Sequence, residues 1–194
     1  MKRRYLITKL LIALTVAFSF AFFIPNHALA HCDTMDGPVV KAAQKALHTK
    51  NVSLVLIWVQ EKDQTAIRKA FRQTLAVRRL NRTARELADR YFFETVVRLH
   101  RAGEGEPFTG IEPAGTDLGP VVQGADKAIE NGVVEPLLTL FPAEVSAEIR
   151  TRFKDVIAKK SYPENDVVAG REFVKAYVSF LHYVEHLDGE SGHK

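Results

Sequence analysis

One cysteine, one tryptophan and two methionines are found among 194 residues. A lone cysteine, Cys32, makes no internal disulfide, so the fold has to come from packing and the thiol stays free. No apolar run reaches the ~20 residues that a membrane-crossing helix needs. The stretch from Leu10 to Ile24 comes nearest, at 15 residues broken by Thr15 and Ser19. A phosphate-cradling loop is missing too, because Gly103-Glu104-Gly105-Glu106 is acidic, and no glycine-rich elbow accompanies a nucleophile.

What is there begins with Lys2, Arg3 and Arg4, followed by the apolar stretch, Pro25 and Ala28-Leu29-Ala30. This charged, apolar, small-residue order is that of a secretory signal, with cleavage expected after Ala30. An uncleaved anchor is the rival reading. A lipoprotein signal fits less well, since His31 stands where a small residue should precede the acylated cysteine. Residues 1–30 contain Lys2, Arg3, Arg4 and Lys9 and no acidic residue, so 27 basic and 23 acidic residues become 23 and 23 once they are removed. The excess positive charge belongs to the leader. Without net charge or an evident basic stripe, nucleic acid is not expected as a partner. Membrane contact is expected only through the leader, before cleavage. The remaining residues, 31–194, suffice for a single exported domain, periplasmic or secreted, with its own core.

Compared with itself at an offset of 82, the chain aligns without a gap. Gly37-Pro38-Val39-Val40 meets Gly119-Pro120-Val121-Val122, Ile67, Arg68 and Phe71 meet Ile149, Arg150 and Phe153, and Leu99-His100 meets Leu181-His182. From Thr34 to Ala102 there are 17 identities in 69 positions, where chance would give roughly four, which points to an internal duplication. The expected fold is all-α, a helical bundle built from two tandem, pseudo-symmetric units over 37–102 and 119–187.

Apolar spacing predicts helices over 39–47, 64–79 and 84–102, and over 121–130, about 145–157 and 166–187. The runs 52–59 and 133–141 read as short buried helices, with Trp58 in the core. Pro136 argues against a central strand in the second. Residues 103–118, rich in glycine and proline, form the connector, and a connector of this length is often functional.

Cleavage after Ala30 would expose His31-Cys32-Asp33-Thr34-Met35-Asp36-Gly37. A free amine and an imidazole on one residue can chelate a metal in one ring. Cys32 adds a thiolate and an amide, and Asp33 and Asp36 stand close by. Nitrogen and thiolate donors favour nickel, copper or zinc over magnesium or calcium, and an amine with a pKa near ~8 is partly neutral at pH 7. The plain alternative is a frayed terminus. The opening His-Cys-Asp-x-x-x-Gly resembles the metal hook of nickel superoxide dismutase, exposed by removal of a leader and mounted on a helical bundle. The resemblance implies His31 as donor of amine and imidazole and Cys32 as donor of thiolate and amide. The second cysteine of that family is replaced here by Asp36. Over its mature length the chain resembles an uncharacterised family of exported bacterial proteins opening His-Cys-Asp-Thr-Met-Asp-Gly-Pro-Val, with motifs like Tyr91-Phe92-Phe93-Glu94 and His182-Tyr183-Val184-Glu185.

His100 and His182 occupy equivalent positions in the two units and are candidates to complete a metal site, alongside Asp36. The plain reading makes each a packed core histidine. His182-Tyr183-Val184-Glu185-His186 also fits a zinc-peptidase pattern, but only eight residues follow it to supply the third ligand. His182 with Glu185 resembles, in reverse order, the carboxylate and histidine pairs of helical di-iron sites, which want a second such pair and further glutamates, Glu94 and Glu104 being the nearest candidates. His48 suits the end of its helix through the dipole. The expectation is an exported metal-binding protein using His31 and Cys32, with nickel or copper ahead of zinc, and with redox chemistry, storage and transfer all open. The alternative is a metal-free interaction module that recognises a protein through the connector.

Overall fold

The computed structural model describes residues 31–191. The leader expected over residues 1–30, and His193, lie outside the described residues. Among the described residues there are eight α-helices and no strand. Helix α1 (Pro38–Thr49) starts with a proline whose fixed φ suits the first turn, and ends at Lys50 in the left-handed region, φ 58°. The short α2 (Ser53–Leu56) and a 3-10 turn lead to α3 (Gln64–Val77). Helix α4 (Arg82–Glu104) is capped by Asn81, whose side chain accepts from the Ala84 N–H at 2.8 Å, and is closed by Gly105 at φ 82°. The second half repeats this order with α5 (Gly119–Asn131), α6 (Glu135–Leu138), a 3-10 turn, α7 (Ser146–Lys159) and α8 (Val167–Ser191). The run 52–59 is helical over only four residues, then turns through Ile57 and Trp58, which remain buried.

Packing repeats as well. In each half the first helix lies on the short second helix and on the long last one, and the third lies along the last. Matching positions fill the same core: Val39 and Val40 with Val121 and Val122, Ile67 with Ile149, and Phe71 with Phe153 are all buried. Phe71 stacks on Phe92 at 5.5 Å between ring centres, and Phe153 on Phe180 at 5.9 Å.

The halves interlock where α2 meets α8. A Cβ built on Gly170 of α8 would lie 2.4 Å from Ile57 Cγ2 and 3.0 Å from the Tyr162 ring. Glycine inside a helix ordinarily costs about 1 kcal/mol relative to alanine, so Gly170→Ala should stabilise if space allowed. Here the close approach dominates, and Gly170→Ala is expected to destabilise by about 1–3 kcal/mol, as overpacked cores do. Urea unfolding measures it, and a gain in stability would show that the two halves pack more loosely at this point.

Candidate functional site

His31, Cys32, Asp33 and Thr34 are buried, at 4%, 7%, 1% and 2% exposure. In the chain that still carries residues 1–30 they are held inside the fold. His31–Asp33 form a 3-10 turn, and the next turn is closed by the Gly37 N–H donating to the Thr34 carbonyl at 2.9 Å. The connector straps this turn from outside: the Met35 N–H donates to the Glu112 carbonyl, and the Glu112 N–H to the Asp33 carbonyl, each at 2.9 Å. Asp36 points outward, and its Oδ2 accepts from the Gly115 N–H at 3.0 Å. That backbone donor holds the Asp36 carboxyl below its ordinary range. A connector with these bonds is fastened to the start of the domain.

Underneath, two side chains from the second half grip the His31 ring. Nε2 meets Asp126 Oδ2 at 2.5 Å, and Tyr177 Oη lies 3.3 Å from Nδ1. Tyr177 donates to Asp126 Oδ1 at 3.0 Å, a shorter contact. A carboxylate only accepts, so Nε2–H donates to Asp126 and Nδ1 is the ring nitrogen left for another partner. Nδ1 is the nitrogen nearest the residue's own backbone nitrogen. Asp126 is 42% exposed, which opens this end of the site to solvent.

The inner side carries an excess of carboxylates over cations. Buried Arg101 of α4 faces Asp33 at 3.5 Å, Glu104 at 3.6 Å and Glu106 at 3.7 Å. Burial lifts the Asp33 carboxyl to about 6 despite Arg101, with Glu104 adding to the rise. Glu185 is pushed up to about 7, again mainly by burial, with Glu104 and Asp126 reinforcing it against His31 and Arg101. Burial also raises the Glu104 carboxyl and, strongly, the Cys32 thiol, the latter with help from Glu104, Asp33 and Glu185. The Tyr177 hydroxyl rises for the same reasons, burial first and then Asp126. Both carboxylate oxygens of Asp33 and of Glu104 lack a hydrogen bond among the described residues, as do His100 Nε2 and Trp58 Nε1. Buried polar atoms without partners are uncommon and concentrate where a ligand or water completes a site.

The candidate histidines differ in setting. His100 is buried, its Nδ1–H donates to the Trp58 carbonyl at 2.9 Å, and its Nε2 lies 3.5 Å from Glu104. Burial drives its pKa down to about 4, so it is neutral at pH 7. His182 is exposed on α8, near enough to lower the Glu104 carboxyl. Glu94 is paired with Arg90 on the surface. Among the described residues, no three His, Cys, Asp or Glu side chains are grouped as a metal-holding set.

Sequence reasoning missed Asp126, Tyr177 and Arg101. A signal for two of them lay in the repeat: at an offset of 82, Asp126 faces Gln44 and Tyr177 faces Thr95. An acid and a phenol thus interrupt apolar helix faces at positions where the units diverge.

A protein-family model described as a family of unknown function (DUF6448) matches residues 36–183. The chain belongs to this family. The matched span takes in the connector and most of both halves, and it begins five residues beyond His31. No curated protein and no solved structure matches the chain.

Proposed function

We propose that this member of the family is an exported metal-binding protein whose site is completed when the leader is removed and His31 becomes the first residue. The observation that carries the reading is the burial of His31 and Cys32, with Asp126 taking Nε2 of the His31 ring, so that Nδ1, 3.3 Å from Tyr177 Oη, is the ring nitrogen available to a metal. Metal-binding histidines commonly donate their other ring nitrogen to a carboxylate in this way. The amine and Nδ1 of His31 with the thiolate of Cys32 form a compact N,N,S set suited to nickel or copper, then zinc. Such a metal would supply redox or Lewis-acid chemistry. Asp33 and Glu104 nearby, whose oxygens lack a hydrogen bond and which share the single buried cation Arg101, favour added positive charge in this space. The charged, apolar, small-residue order of residues 1–30 supports export, and the recurrent order and packing of the helices support a pseudo-symmetric pair of units.

The test compares nickel, copper and zinc affinity for protein beginning at His31 and for protein carrying one extra residue before it, alongside Cys32→Ser and Asp126→Asn. An extra residue converts the amine to an amide and leaves every side chain in place. Asp126→Asn is expected to weaken binding by about 10–100-fold, as loss of an outer-shell partner does. The extra residue and Cys32→Ser should each cost more than that. Affinity should also fall with pH, since each donor must lose its proton. Equal affinity in all forms would remove the terminal site and shift the reading to His100 and His182 within the bundle, or to the interaction module.

A further inference from the structure

Zero net charge in the mature chain conceals a strong asymmetry. Between Gln64 and Arg98, the α3–α4 hairpin carries nine basic and three acidic residues, a net +6, and the rest of the chain from His31 carries net −6. The equivalent stretch of the second half, residues 146–180, holds seven basic and five acidic residues. Of the hairpin's cations, Arg68, Arg72, Arg79, Arg85, Arg90 and Arg98 are exposed.

Large apolar side chains stand out on the same hairpin. Leu80 in its turn is 69% exposed, and Leu87 and Tyr91, one helical turn apart on the outer face of α4, are 67% and 52% exposed. Their counterparts at an offset of 82 are treated differently. Tyr162 and Phe173 pack on one another at 5.7 Å between ring centres and join the core edge, with Ile57 of the first half closing over Gly170 beside them. The second half keeps its aromatic pair half-buried and has only Ala169 at the position of Leu87, although Val168 beside it is 74% exposed, whereas the first half leaves Leu80, Leu87 and Tyr91 open on a hairpin that carries the exposed arginines.

We propose that the α3–α4 hairpin docks on an anionic phospholipid bilayer, with Leu80, Leu87 and Tyr91 entering the interface and the surrounding arginines meeting lipid phosphates. Charge chooses this occupant. A second copy seated face to face would bring +6 against +6, whereas an anionic surface attracts each basic residue near it. Apolar side chains with tyrosine among them, flanked by arginine, suit the boundary between headgroups and acyl chains. This extends the sequence expectation, in which membrane contact ended with removal of the leader. It is also independent of any metal.

The experiment uses the protein beginning at His31 with Thr83→Cys beside the patch and Cys32→Ser, so that an environment-sensitive fluorophore has one attachment point and the leader cannot carry the protein to lipid. The label is read on neutral phosphatidylcholine vesicles and on vesicles containing phosphatidylglycerol. A blue shift on the anionic vesicles, reversed by high salt, is expected. Arg79→Glu with Arg90→Glu should weaken the response by about 100-fold in lipid concentration. Leu87→Ser with Tyr91→Ser should reduce the shift, while circular dichroism confirms the helices. No shift, an equal shift on neutral vesicles, or an unchanged response after charge reversal overturns the proposal. So does a shift that grows with protein concentration without lipid and accompanies a doubled sedimentation mass, which would make the face an interface between copies.

Discussion

Arg101→Met is expected to destabilise the domain by about 3–5 kcal/mol, the cost of removing one partner from a buried ion pair. Arg101 is 6% exposed, and its guanidinium is the group set among Asp33, Glu104 and Glu106. Methionine keeps much of the length and the apolar packing of the stem, so the loss isolates the charge. Asp33, at 1% exposure with no hydrogen bond to either carboxylate oxygen, would then be buried without a counter-charge. Adding Asp33→Asn and Glu104→Gln to the same chain should recover most of the loss, because removing all members of a buried ionic group together is often near neutral. Chemical denaturation of the single and triple variants measures both steps. A single variant as stable as the parent would mean that Asp33 and Glu104 are already protonated and need no cation.

That cluster shows where sequence reading reached its limit. Helix positions were legible because apolar residues recur at helical spacing, and the structure adds the end signals that set the exact bounds, Asn81 as a cap and Gly105 and Gly132 at ends. The short α2 was harder, since Val52 to Val59 is apolar throughout and period cannot separate a strand from a helix there. His31 and Cys32 were visible as chemistry through their place behind a predicted cleavage site. Their partners were not, because Asp126 and Tyr177 stand 95 and 146 positions away from His31 and reach it only through packing of the two halves. Equivalence in the repeat also misled about surroundings. His100 and His182 share a position, yet one is buried beneath Trp58 and the other is exposed. Overall neutrality hid the basic hairpin for a simpler reason: a sum over the chain discards where each charge sits.

The paired Gly-Pro-Val-Val motifs give the sharpest test of how the candidate site is built, because the two glycines serve different ends. Gly119 sits at φ 76°, where side chains are strained, and a Cβ there would meet nothing within 4 Å. Gly37 has an ordinary φ of −72°, but a Cβ on it would lie 2.4 Å from the His31 carbonyl oxygen and 2.9 Å from Thr34 Oγ1. Backbone oxygen cannot swing aside as a flexible side chain can, so Gly37→Ala must shift the His31–Thr34 turn. A local cost of about 1–3 kcal/mol corresponds to about a 5–150-fold larger open population. Cys32 reports it directly, since the native thiol is buried and its pKa is raised by that burial. Labelling of Cys32 by a thiol reagent is therefore expected to accelerate by that factor in Gly37→Ala. Gly119→Ala should cost about 1–2 kcal/mol of global stability through left-handed strain while leaving Cys32 labelling under native conditions nearly unchanged. Equal labelling rates in the two variants would show that Gly37 does not hold the turn, and that His31 and Cys32 are kept in place by Asp126, Tyr177 and the connector alone.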